Sequence, residues 1–147
     1  MINMKEQTNF IFENAPMAIC FGEIILNKDG RVIDYRYDRI NTQYALITGL
    51  NPDTVKGKRM RDLFHSDNYA QTFKNIQSFI ETGENTFELY LSTFKKHLKI
   101  HYTLLDDGHI CTWVSDMTPD KLLIQNLDEI IQETPVSYLE LTQRALS

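Results

Sequence analysis

Cysteine is scarce in this sequence. Cys20 and Cys111 are the only two in 147 residues, too few for the disulfide framework of a small secreted domain, and they form no Cys-x-x-Cys pair. A reducing, cytoplasmic setting is the expectation. Excess positive charge is also missing: the net charge is −5, which disfavours nucleic acid and anionic membranes as partners. The one dense basic run, Lys56 to Arg61, is flanked by Asp53 and Asp62 and reads as a solvated face. No apolar stretch approaches the roughly 20 residues of a membrane-spanning helix, and no basic segment leads into an apolar run as in a signal peptide. Membrane contact by this segment is therefore not expected. The four histidines (His65, His97, His101 and His109) lack metal-ligand spacing. There is no glycine-rich phosphate loop, no Gly-x-Ser-x-Gly and no His-Glu-x-x-His. Asp106-Asp107 is explained by turn chemistry before acid–base catalysis. Nothing in the sequence argues for an enzyme.

What is present describes a folded globular chain, 42% hydrophobic and 24% charged, long enough for one domain with a real core. Residues 4–14 suit a helix that ends where Pro16 forces Ala15 out of helical geometry. Ala18 to Leu26 is rich in β-formers, Asn27-Lys28-Asp29-Gly30 supplies a turn, and Arg31 to Arg39 resumes with Ile33, Tyr35 and Tyr37 alternating against Asp34, Arg36 and Asp38. A hairpin follows from that pattern. Residues 41–50 predict a short helix closed by Gly49, and Asn51-Pro52-Asp53 a further helical turn. Met60 to Phe64 forms another short apolar segment. Residues 67–82 form the one long helix, with Tyr69, Phe73, Ile76 and Ile80 on its apolar face and Gly83 at its end. Strands return in residues 86–93 (Phe87, Leu89, Leu91 inward), 96–104 (Leu98, Ile100, Tyr102, Leu104 inward) and 109–117. His97 and His101 alternate with the inward set and should face away from the helices. Two strands, a helical excursion and three strands predict an α+β domain: a five-stranded antiparallel sheet with helices on one face, plus N- and C-terminal flanking helices. The expected divisions are a flanking helix at 1–16, the domain at 17–118, and a C-terminal signalling helix and tail at 119–147.

Short stretches on those elements resemble the PAS family. Asp34-Tyr35-Arg36 leading to Ile40-Asn41 is similar to the end of its second strand. Thr48-Gly49-Leu50 followed by Val55-x-Gly57-Lys58 is similar to its "l-T-G-y … v-x-G-k" segment, and Asp116-Met117-Thr118 to the Asp-Ile-Thr that leads into an output helix. The resemblance spans about residues 8 to 121. It implies a sensory and dimerisation module of a bacterial- or archaeal-type signalling protein, such as a sensor histidine kinase or a diguanylate cyclase, with Asp116 and Thr118 as signal relay.

The family's light-driven flavin adduct needs a Cys before the long helix, and residues 57–64 contain none. Its haem members carry a His on the long helix, and residues 67–82 contain none. Leu63-Phe64-His65-Ser66-Asp67 resembles a structural turn of the family. No covalent flavin or haem is expected, which leaves non-covalent flavin or another small molecule. The strand cysteines read as buried apolar fillers. Inward strand positions and helix faces nominate a ligand cavity: Tyr35, Tyr44, Phe64, Phe73, Ile76, Phe87, Leu89, Ile100, Tyr102 and Trp113. The same residues equally describe a packed core. In that case the domain is a ligand-free module for protein–protein interaction. Trp113 has a second placement, on the outer face under the N-terminal helix.

Thr118-Pro119 is a helix start, and Leu123, Leu127 and Ile130 then follow at steps of four and three, the spacing of a coiled-coil seam. Thr134-Pro135 repeats the signal before a second helix at 136–146. A short helix of this kind is marginal alone. The expectation is a homodimer through the flanking helices, relaying to an output domain outside this sequence.

Overall fold

The computed structural model describes residues 3–92 and 95–133, which divide after Asp116 into two units. The first contains α1 (Met4–Asn14), β1 (Ala18–Leu26), β2 (Val32–Ile40), α2 (Thr42–Thr48), α3 (Met60–Leu63), α4 (Ser66–Thr82), β3 (Thr86–Leu91), β4 (Lys96–Asp106) and β5 (His109–Asp116). All strands lie in one antiparallel sheet in the order β2-β1-β5-β4-β3. Helices α2 to α4 connect β2 to β3, the two edge strands, and so they cross one face of the sheet. The expected α+β architecture is the one observed.

Local chemistry sets the boundaries. Asn3 and Glu6 close a reciprocal capping box at the start of α1. Gly49 ends α2 and Gly83 ends α4, both left-handed and each returning its N–H to a carbonyl of the last turn. Residues 51–55 form one hydrogen-bonded turn, with Asn51 Oδ1 accepting from Asp53 N, and do not extend into a helix. The Val55 N–H bond to the Asn51 carbonyl makes this the single helical turn expected at Asn51-Pro52-Asp53.

The core lies between the sheet and α2–α4. Tyr35, Tyr37, Ile40, Tyr44, Phe73, Ile76, Leu89, Leu91, Leu98, Ile100, Tyr102, Ile110 and Val114 are buried there. Three bulges break the alternation the sequence suggests. The β1–β2 register passes over Ile33 and Asp38, and the β4–β5 register passes over Leu105. Ile33 is thereby turned outward, while Asp34 is buried and accepts from the backbone N–H groups of Tyr35 and Arg61. Ile80 and Leu104, expected to face inward into the core, are exposed because the sheet's inner face runs on past the end of α4. Conversely α4 buries polar residues. Gln77 accepts from Val32 N at 2.6 Å and donates to Gly30 O and Glu81, pinning the β1–β2 hairpin to the helix.

The opposite face has its own small core of Phe12, Ile19 and Cys111, with Phe21 and Trp113 packed against them. Phe12 of α1 stacks on Phe21 at 5.1 Å, and the Arg39 guanidinium sits 4.3 Å from the Phe12 ring. Of the three apolar residues at the end of α1, Phe12 alone is buried; Phe10 and Ile11 are exposed. The His97 ring lies 4.6 Å from that of Tyr90, and His101 Nδ1 lies 3.1 Å from the Thr86 hydroxyl, each a cross-strand pair of β3 and β4.

Asn41 joins these layers. It is fully buried; its Oδ1 accepts from Ile19 N and Tyr44 N at 3.0 Å, and its Nδ2 donates to Phe12 O at 3.1 Å and Met17 O at 2.9 Å. One side chain thus caps α2 and ties the end of α1 to the start of β1.

The second unit holds α5 (Thr118–Glu133), which begins one residue before the expected start and places Pro119 in its first turn. Leu122, Leu123, Ile124 and Leu127 are exposed on it. The expected helix at 136–146 lies outside the described residues.

Replacing Asn41 with Ala strands two backbone donors and two carbonyls and removes a cap. The expected cost is about 3 kcal/mol in urea unfolding. A loss under about 1 kcal/mol would show that the hub is dispensable.

Candidate functional site: a phenol-lined cavity

A cavity of about 60 Å³ lies between the sheet and α2–α4. Tyr35 and Tyr37 enter from β2, Tyr44 and Thr48 from α2, Met60 from α3, Asn68, Tyr69, Thr72 and Ile76 from α4. Leu89 and Leu91 of β3, Leu98, Ile100 and Tyr102 of β4, and Thr112 and Val114 of β5 complete the wall, with Phe64 at the α3–α4 elbow. Such a volume holds a few waters or one short organic group.

Seven of the ten nominated residues line it: Tyr35, Tyr44, Phe64, Ile76, Leu89, Ile100 and Tyr102. Phe73 does not; its ring packs on Tyr69 at 5.2 Å. Phe87 stands behind the wall, its ring 5.8 Å from that of Tyr102. Trp113 belongs to the opposite face with Phe12, because its neighbours Thr112 and Val114 take the inward positions of β5. Tyr37 was missed although it alternates with Tyr35. Asn68 and Thr72 were missed because a polar residue on an amphipathic helix ordinarily reads as solvent-facing.

Four phenols converge in the interior. The Tyr35 and Tyr37 rings meet edge-on at 5.1 Å, and Tyr37 meets Tyr44 at 6.4 Å. Tyr35 OH lies 3.3 Å from the Cys20 thiol. This placement depends on Gly22: a Cβ there would collide with the Tyr35 ring and hydroxyl and with the Arg36 carbonyl. The Tyr102 hydroxyl meets no hydrogen-bond partner among the described residues. The Tyr37 hydroxyl also lacks a well-formed bond, although it and the Tyr44 phenol perturb one another. Burial, first of all, pushes all four phenols upward, and the Cys20 sulfur beside them adds to it. They are protonated donors at any physiological pH.

Burial likewise raises the Cys20 thiol to about 12 and Cys111 to about 11. Neither is a nucleophile in the folded state. No group of three or more acidic, His or Cys side chains suited to a metal ion occurs among the described residues. His65 precedes α4 and makes no side-chain cap. Asp116 ends β5, opposite Leu98, and Thr118 opens α5. No helix of the described residues is long and apolar enough to cross a membrane.

Comparison with known proteins adds a fold likeness. No family model matches the sequence, and no curated protein matches it. Among solved structures, the PAS domain of the Cronobacter turicensis RpfR quorum-sensing receptor is similar in its complexes with C12:0 and with BDSF. Each is 17% identical, covering 71% of this chain and 97% of that one, with TM-scores of 0.47 and 0.49. An RNA-binding light-oxygen-voltage receptor is 14% identical over 88% of this chain and 37% of its own, with a TM-score of 0.55. At these identities the likeness is one of fold. The class is an α+β domain. The fold is PAS-like.

The raised thiol and phenols set the alkaline limit of stability. The folded state keeps protons that the unfolded chain loses, so stability is full below pH 9.0, the ordinary thiol value, and falls as pH climbs towards about 12. Each such group steepens the fall by up to about 1.4 kcal/mol per pH unit. Melting curves between pH 8 and 11 should show the decline, shallower in Cys20→Ala. Rapid iodoacetamide modification of native Cys20 at pH 8 would contradict the burial of its thiol.

Proposed function

We propose that this domain is a sensory module: a small molecule in the cavity biases β5 and, through Asp116-Met117-Thr118, helix α5, which pairs with a second copy and relays to an output domain. A histidine kinase or a diguanylate cyclase in a cytoplasmic signalling protein fits that role, and no catalytic role is assigned to the domain. The observation that carries the reading is an apolar cavity lined in part by Tyr102, whose buried hydroxyl meets no hydrogen-bond partner among the described residues. Native cores seldom leave such a group without a partner, and a ligand atom supplies one. Thr112 and Val114 of the same wall lie just before Asp116 on one strand. The exposed Leu122, Leu123, Ile124 and Leu127 of α5 form an apolar surface that pairing would cover.

A second reading, a ligand-free interaction domain, is favoured by the volume alone. The cavity's 60 Å³ is well below the roughly 300 Å³ of ordinary ligand pockets.

Native mass spectrometry with an absorbance spectrum decides between them. The expected result is a colourless protein carrying a mass that organic extraction removes. A bare mass, together with no thermal shift across a small-molecule library, would leave the interaction reading. Sedimentation of the intact chain should show a dimer at tens of micromolar and, for a chain ending at Thr118, a weaker one. If both are monomers, the pairing of flanking helices is wrong.

A further inference from the structure

Resting on the ligand-binding reading, we infer the chemical class of the ligand: an uncharged amphiphile, with its acceptor oxygen on the Tyr102 hydroxyl and its alkyl chain passing the Tyr102 ring into the groove beyond.

Two observations define the head. Among the described residues, the cavity wall carries phenols, Thr48, Thr72, Thr112 and Asn68, but no lysine, arginine or histidine. Arg61 lies outside the lining, against the Tyr69 and Phe73 rings, with Nε on the Ile33 carbonyl at 2.7 Å. A buried carboxylate or phosphate needs a cation, and without one its desolvation goes uncompensated. The Asp34 carboxylate acts on the Tyr37 phenol and the Asp38 carboxylate on the Cys20 thiol, and neither favours an anion beside them. A ketone, ester, lactone or alcohol oxygen meets none of these penalties, and it supplies the acceptor that the Tyr102 O–H lacks.

The tail follows from the other side of the same ring. Tyr102 is the one residue common to the cavity and to a groove of about 570 Å³ lined by Ile24, Leu26, Phe79, Ile80 and Leu104. Leu104 is 62% exposed there, Leu26 45% and Ile80 43%, so the inner face of the sheet presents apolar surface to solvent. The Tyr102 ring packs on Phe79 at 5.6 Å, and no hydrogen bond anchors its hydroxyl. A rotation of this ring joins the two volumes. The cavity by itself admits only a short group, and the groove by itself has no buried polar anchor. Together they fit a polar head with a linear chain, whose methylenes cover Leu26, Ile80 and Leu104.

The test titrates the full chain by calorimetry with 2-alkanones from hexanone to undecanone, and with n-alkanoic acids of equal length at neutral pH. Ketone affinity should rise about fourfold per methylene, with acids bound at least about tenfold more weakly. Tyr102→Phe keeps the ring and should lower ketone affinity about five- to tenfold at every length. Leu104→Glu, at an exposed position, should flatten the rise for the longer ketones and leave hexanone unchanged. Acids binding as tightly as ketones would overturn the uncharged head while leaving the cavity reading intact. An unchanged slope in Leu104→Glu would overturn the groove. Binding of neither series overturns the inference: if another molecule still copurifies, the sensory reading survives, and if the protein is bare, both fall.

Discussion

The amide of Asn41 is the constraint on which the site depends. Its four side-chain hydrogen bonds reach the end of α1, the residue before β1, β1 itself and the first turn of α2. An amide is the uncharged side chain that offers two donors and a doubly accepting oxygen at one point. An aspartate in the same place would hold a buried charge against two carbonyls. Because β2 ends at Ile40 and α2 begins at Thr42, this one fixed residue sets how the β2 phenols and the α2 phenol meet.

The phenols in turn sit where ordinary packing logic would put aliphatic side chains. Tyr35 reaches its place only because Gly22 has no Cβ, and it then shares its hydroxyl environment with Cys20. Each buried hydroxyl costs free energy unless it finds a partner. At Tyr102, whose hydroxyl has no partner among the described residues, a Phe would fill the same space without that cost. A core that keeps four O–H groups, one with no protein partner, has traded stability for a set of directed donors. On the ligand-binding reading, that trade is what equips the cavity to hold a polar atom.

Much of this was legible in the sequence, and the failures have physical causes. Element order and antiparallel topology followed from period-two and period-3.6 patterns, because burial on one face enforces them. Seven of ten cavity positions followed from the same alternation. It misplaced Ile33 because a bulge shifts the register, which side-chain hydropathy does not report. Trp113 went to the other face because a second, smaller core under α1 competes for large apolar residues. Asn68, Thr72 and Gln77 looked like surface residues. The backbone partners of Gln77, Val32 N and Gly30 O, come close only in the tertiary fold, and Thr72 turns its hydroxyl back to the Asn68 carbonyl of its own helix, which hydropathy does not report. Asn41 stood out as a motif residue, yet its four partners span residues 12 to 44 and leave no local signature.

The site also constrains how a bound molecule can act. β5 is central, paired with β1 up to Ala18–Val114 and with β4 up to Leu98–Asp116. Sliding it by one residue would turn Thr112 and Val114 out of the cavity and Trp113 in, which the packing on both faces forbids. Small rotations of side chains and of the last residues of the strand remain. Val114 is the last residue of β5 held on both sides, and it touches both the cavity and a surface cleft beside Met17, Leu46 and Lys96. Beyond it, the β1 pairing stops, and Ser115 and Asp116 continue the pairing with β4. On the sensory reading, a change in what fills the cavity acts on Val114, where the β1 pairing ends, two residues before the end of β5 at Asp116. On that reading, the end of β5, where the sheet narrows from two pairings to one, is where a packing change at the cavity is passed on along the strand.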